Sequence, residues 1–230
     1  MSIGKLIVID GTDGSGKATQ TDLLLERLKK EGYACSKIDF PQYGAKSAGL
    51  IENYLNGKYG SPDELNPYIA SFFYSLDRYD ASFSFKNLLD NGEIIISNRY
   101  TSSNMGHQGS KFSTPESRRL YFEWLDIYEH KVFKIPRPDL TIILHVPPEQ
   151  AQNLLEKKAA REYINGEKRD LLESDLGHQH RAEQTYLEMC QLFPNYEMVE
   201  CVRDGEMMSV EEIHELVWQK AQKLIILDFL

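Results

Sequence analysis

Seven residues carry the strongest chemical signal in the chain: Gly11-Thr12-Asp13-Gly14-Ser15-Gly16-Lys17. Residues without Cβ tolerate left-handed backbone, so such a run lets consecutive N–H groups curl around an anion. A lysine then adds a mobile full charge where a helix would begin, and a helix N-terminus carries partial positive charge of its own. The G-x-x-x-x-G-K spacing suits a loop that holds nucleotide phosphates, provided that a buried strand precedes it and a helix follows. Both conditions are met. Lys5 to Asp10 is a near-continuous apolar run, and a helix is expected from about Lys17 to Glu31, with Leu23, Leu24 and Leu28 on one face and Gly32 as its stop. We expect Gly11, Thr12, Asp13, Gly14, Ser15, Gly16, Lys17, Ala18 and Thr19 to hold ATP. The position after the lysine is normally Ser or Thr, a magnesium ligand. Here it is Ala18, which shifts the hydroxyl contact to Thr19.

A second group of residues could bind an acceptor. Tyr74 and Arg78 are four apart on one predicted helix and share a face. A ring and a guanidinium together suit a nucleobase, the ring stacking and the Arg bonding its edge. The alternative is a core helix on which Arg78 makes a surface salt bridge. Phe40-Pro41-Gln42-Tyr43-Gly44 ends a strand, where ligands bind in open α/β sheets; the alternative is a plain turn held by Pro41. Arg99 follows another strand and should face the same cleft, as a bidentate phosphate ligand or as a structural ion-pair partner. Lys157, Lys158, Arg161, Lys168 and Arg169 form a basic stretch, read either as a solvated face or as a group that closes over phosphates.

Positioning these groups requires strands alternating with helices. Strands are expected over Lys5–Asp10, Ala34–Asp39, Glu93–Ser97, Asp139–Val146 and Glu197–Val202. Helices are expected over Ser47–Asn56, from Pro67 to about Asp90, from Thr114 to about Phe133, from Pro148, from Leu176 to Leu192, and after a Ser209-x-x-Glu212 capping box. That alternation predicts a single α/β domain, residues 1–230, built on a five-stranded parallel sheet with helices on both faces.

The bulk numbers exclude some functions. Net charge is −9, which disfavours general binding to nucleic acid or to an anionic membrane. No apolar run approaches the ~20 residues of a membrane span. Cys35, Cys190 and Cys201 are sparse and show no metal-ligand spacing, which argues for a reducing compartment and a soluble cytoplasmic protein. The apolar Leu224–Leu230 tail is expected to dock on the body or to meet a second subunit.

With the phosphate loop, the motifs Phe40-Pro41-x-Tyr43, Leu76-Asp77-Arg78, Arg99-Tyr100-x-x-Ser103-Asn104 and Asp170-x-x-Glu173, in this order, resemble the thymidylate kinase family over nearly the whole chain. The resemblance implies a three-layer P-loop kinase fold with a short basic lid over about residues 157–175. It also implies phosphate transfer from ATP to dTMP with Mg²⁺, and a homodimer. It implies catalytic roles for Lys17 and Arg99 and for Arg161 or Arg169 of the lid, since Asp13, Gly14 and Ser15 leave no arginine inside the loop. It assigns dTMP to Asp13, Phe40, Tyr43, Tyr74, Arg78, Arg99, Ser103, Asn104, His107, Asp170 and Glu173, and the metal to Asp13, Thr19, Asp170 and Glu173. Three positions depart from the family pattern: Gln42 for Arg, Asn98 for Asp and Ala18 for Ser or Thr.

Overall fold

The computed structural model describes residues 4–61, 64–152, 154 and 175–227. Five strands form one parallel sheet: β1 (Lys5–Gly11), β2 (Cys35–Asp39), β3 (Ile94–Asn98), β4 (Leu140–His145) and β5 (Tyr196–Glu200), in the order β2-β3-β1-β4-β5. β1 is central, and the chain leaves it to opposite sides of the sheet, so its carboxyl end opens on a crevice. All five strands fall within a residue or two of their predicted positions; the three inner strands, β1, β3 and β4, carry the near-continuous apolar runs expected where both faces are buried.

Side-chain alternation divides the core. Ile7, Ile9, Ile96, Ile142 and Leu144 pack on one face with Leu24 and Leu28 of α1 (Lys17–Lys30) and with Val217, Trp218 and Ala221 of the last helix. Leu6, Val8 and Ile95 point the other way. They meet Ala81 and Phe85 of α3 (Pro67–Asp90), which follows the short α2 (Gly49–Leu55). On that second face Ile143 joins Met105 of α4 (Thr101–Gly109), Phe122 and Leu125 of α5 (Pro115–Asp126), and Tyr186 and Met189 of α6 (Leu176–Leu192). Helix α5 ends in a π-helical turn, Ile127–Val132.

Caps are set where the sequence predicts them. Asn66 accepts from the Tyr68 N–H ahead of Pro67, and Thr114 and Ser117 form a reciprocal box. Ser209 and Glu212 do the same for α7 (Val210–Leu227). The apolar tail continues that helix and buries Ile225 in the core, so docking is the reading that holds through the described residues.

Two elements were not expected. Thr101–Gly109 is a helix despite two glycines and five further weak formers, because tertiary packing overrides propensity. Gly106 lies so close to the Tyr186 ring that a Cβ would come within 2.4 Å of it. The predicted fifth strand also breaks at Cys201. Val202–Arg203 (β6) then pairs antiparallel with Glu206–Met207 (β7) around Asp204 and Gly205, both at positive φ.

Candidate active site

Gly11 ends β1 at φ +141°, where a Cβ would sit 2.5 Å from the Leu144 carbonyl oxygen, so only glycine fits there. The loop closes at Gly16, the left-handed N-cap of α1, with no side chain bonded into the helix end and no acidic residue in the first turn. The exposed amide end of α1 is thus left to an anion. Lys17 is buried and folds back on the loop. Its Nζ donates to the carbonyl oxygens of Gly11 (3.1 Å) and Thr12 (2.7 Å) and lies 3.8 Å from Asp13. The hydroxyls of Thr12 and Ser15 are buried and have no hydrogen-bond partner among the described residues. Orphaned polar atoms of this kind mark a loop shaped for something other than itself.

Arg99 follows β3 with a left-handed backbone, φ +66°, rare for an arginine and held by its own N–H to the Ile9 carbonyl at 3.0 Å. Its guanidinium forms an ion pair with Asp13 and donates to His107 Nε2 at 3.5 Å. Burial alone would raise the Asp13 pKa, but Arg99 and Lys17 hold its carboxyl well below the usual range. Gln179 also reaches Asp13, at 3.4 Å. Burial pushes the His107 imidazole down to about 3, so it is neutral.

Beyond Arg99 lies a cleft. Asp13, Phe40, Tyr43, Tyr74, Arg78, Arg99, Ser103, Asn104 and His107 are among the residues that line it. All nine described residues expected at the acceptor are therefore brought together. Phe40 is buried edge-on against Tyr100, whereas Tyr43 is 63% exposed at the rim. Arg78 is 2% exposed and is no surface ion pair: its Nε and Nη2 donate to Glu129 at 2.8 and 2.5 Å. Glu129, fully buried, also accepts from Ser75 and Thr101. Burial would raise its pKa, but Arg78 keeps it below the ordinary value.

A model described as thymidylate kinase matches residues 9–200. The chain belongs to the thymidylate kinase family. The thymidylate kinase of Mycobacterium tuberculosis (strain H37Rv) is 27% identical over 185 residues, covering 80% of this chain and 85% of that one. A probable thymidylate kinase of Thermococcus onnurineus is 30% identical over 215 residues, covering 90% and 92%. Among solved structures, the thymidylate kinase of Candida albicans superposes with a TM-score of 0.72 at 22% identity, covering 97% of this chain and 94% of that chain; it speaks for the fold.

Against the thymidylate kinase pattern, the three departures have local explanations of different quality. Gln42 is fastened to the buried Asp77 of α3, through its N–H at 2.9 Å and its Nε2 at 3.3 Å, so it anchors the strand-end loop rather than supplying charge. Asn98 donates to Asp39 at 3.0 Å, while its Oδ1 is buried and has no hydrogen-bond partner among the described residues. Asp39 is exposed beside Lys37 and is not one of the cleft-lining residues. Ala18 and Thr19 are both exposed on the first turn of α1. Thr19 lies two positions, roughly 200°, around the helix from Lys17, and no hydrogen bond joins it to Asp13 among the described residues.

Ser103 is also redirected. Its hydroxyl donates to Asp10 at 2.8 Å, as do Ser102 at 2.5 Å and Tyr186 at 3.2 Å. Asp10 thus fastens α4 and α6 to the root of the phosphate loop, a role its position at a strand end did not reveal. Glu129 and Gln108 were missed as well. Gln108 lines the cleft one turn after Asn104, 1% exposed, its Oε1 without a hydrogen-bond partner among the described residues. Reading 101–109 as a helix would have found it; nothing in sequence spacing links Glu129 to Arg78. Arg161, Arg169, Asp170 and Glu173 lie outside the described residues.

Proposed function

We propose that the protein transfers the γ-phosphate of ATP to dTMP, yielding dTDP and ADP for dTTP synthesis. The carrying observation is Arg99, ion-paired to Asp13 of the phosphate loop and lining the aromatic cleft beyond it. One guanidinium then spans the donor and acceptor phosphates, with geometry suited to paired oxygens. Tyr74 and Phe40 supply faces for a base; Arg78, Asn104 and Gln108 supply polar groups for its edge, and Tyr43 stands at the rim.

The acceptor is a phosphate oxygen, largely ionised at neutral pH because such a group has a second pKa of about 6, so no general base is needed. Catalysis is alignment and charge neutralisation by loop amides, Lys17 and Arg99, completed by Arg161 or Arg169 of the lid. Among the described residues no three His, Cys, Asp or Glu side chains gather as a metal cage. Mg²⁺ binds through one or two carboxylates and substrate phosphates rather than a protein cage. Asp13 is the described carboxylate available, with Asp170 and Glu173 as further candidates. Bound Mg²⁺ supplies positive charge to the transferring phosphate.

We also propose a cytoplasmic homodimer. Three free thiols support a reducing compartment. No helix among the described residues is long and apolar enough to cross a membrane. Ile69, Leu76 and Phe83, exposed at heptad spacing on α3 beside exposed Tyr79, offer a face on which a second copy can pack by two-fold symmetry.

A coupled ADP-release assay with ATP, Mg²⁺ and each nucleoside monophosphate tests the central reading. Turnover of dTMP above all others is expected. Phosphorylation of thymidine but not dTMP, or binding of both nucleotides without dTDP formation, overturns it.

A further inference from the structure

Two histidines meet beside Arg99. His107, on α4, receives Arg99 Nη1 on its Nε2 at 3.5 Å and places its Nδ1 3.2 Å from Nε2 of His178, on the first turn of α6. His178 is fully buried and His107 nearly so, their ring planes 17° apart. The Tyr186 ring stands nearly perpendicular to that of His107, their centroids 6.0 Å apart.

The proton positions follow from donor chemistry. A guanidinium only donates, so the nitrogen it meets must present a lone pair. His107 Nε2 is therefore bare. The ring is neutral, since burial disfavours its charged form, and its single hydrogen must sit on Nδ1. That N–H points to His178 Nε2, which must accept it. The opposite tautomer of His107 would set an N–H against the guanidinium, whichever nitrogen of His178 carries its proton.

We propose that His107 and His178 are a positioning pair for Arg99: His178 accepts from His107 and so fixes the tautomer in which His107 Nε2 steadies the guanidinium opposite Asp13. Asp13 holds one arm of the Arg99 fork and His107 the other. Neither histidine need touch the transferring phosphate. The proposal rests on the reading of Arg99 given above and extends it by one shell of residues on α6. It also relates that helix to the phosphate loop twice, since the next residue, Gln179, reaches Asp13.

The test has two arms. ¹⁵N NMR of imidazole-labelled wild-type protein reads the tautomer directly, whatever the substrate. A His107 ring protonated on Nδ1 is expected, and one protonated on Nε2 overturns the pair. The second arm is kinetic. His178→Phe keeps a ring but removes the acceptor, whereas His178→Gln keeps an acceptor without the ring. We expect His178→Phe to lower kcat about 10- to 100-fold with KM for ATP nearly unchanged, and His178→Gln to stay within about threefold of wild type. Equal losses in both would make His178 a packing residue only. If neither variant folds, the wild-type tautomer decides alone. An unexpected acceptor in the monophosphate panel would sink the substrate reading and leave the tautomer result standing.

Discussion

The Arg99 guanidinium is ion-paired with the Asp13 carboxylate, so the residue that follows β3 is tied to the loop that follows β1. The two strands are neighbours in the sheet, with Ile9 in register with Asn98. Parallel pairing therefore brings a carboxylate of the glycine-rich loop and a cleft-lining cation together at adjacent strand ends.

Removing Arg99 should act on the chemical step. Arg99→Ala is expected to lower kcat about 10³-fold or more, the scale of a transition-state arginine. Lys17→Ala should abolish most turnover as well. Steady-state kinetics with dTMP check both, and a near-normal kcat in either variant would remove that residue from the mechanism.

The Arg78–Glu129 pair should make stability depend on acid. The Glu129 pKa is depressed in the folded state, below its ordinary value of 4.5. Its contribution is thus complete above that value and is lost as pH falls through the lower folded pKa. Glu129→Gln leaves a buried guanidinium without its counter-charge and should cost about 3–5 kcal/mol at neutral pH. Thermal melts between pH 3 and pH 7 should show a smaller acid-side slope in the variant; parallel curves would contradict this account.

Asn98→Asp places a carboxylate 3.0 Å from Asp39, to judge by the present contact. Like charges at that distance should destabilise the variant by about 1 kcal/mol without a counter-ion. If position 98 lies near the metal, Mg²⁺ should restore the melting temperature more than it raises that of wild type, and the rate should change. Identical Mg²⁺ responses in both proteins would take residue 98 out of the metal site.

Gly106→Ala drives a methyl group into the Tyr186 ring, where a Cβ would lie 2.4 Å from the nearest carbon. Overpacking of this kind costs about 1–3 kcal/mol. Tyr186 also bonds Asp10 and packs edge-on against His107. The melting temperature should therefore fall together with kcat, and an unchanged melting temperature would mean that α4 moves away freely.

A charge on the exposed stripe of α3 should separate subunits. Phe83→Glu and Leu76→Glu are each expected to shift the proposed dimer to monomer in analytical ultracentrifugation. A dimer that survives both changes must use another face.

Much of this protein is legible without its structure. A buried strand, a glycine-rich turn and a lysine at a helix start are consecutive, so the donor loop is a local fact, with Gly11 and Gly16 dictated by backbone conformation. Strand runs such as Ile94-Ile95-Ile96 and the Asn66-Pro67 cap are local too, and they define the α/β layers. Pairings between distant segments are different. Glu129 meets Arg78 across 51 positions, and His178 meets His107 across 71. Gln42 lies on Asp77, and Ser102 and Ser103 lie on Asp10. Such contacts exist only once the sheet order has brought α3, α4, α6 and the end of α5 to one side of β1. Helix α4 itself depends on that packing, since its own residues are weak helix formers. Residue types and spacing in the sequence announce a glycine-rich loop at a helix start and most of the residues that line the adjoining cleft. Which buried charges are paired, and which side chains hold Arg99 in place, is decided by tertiary structure, because an uncompensated polar group in a dry interior is too costly to leave without a partner.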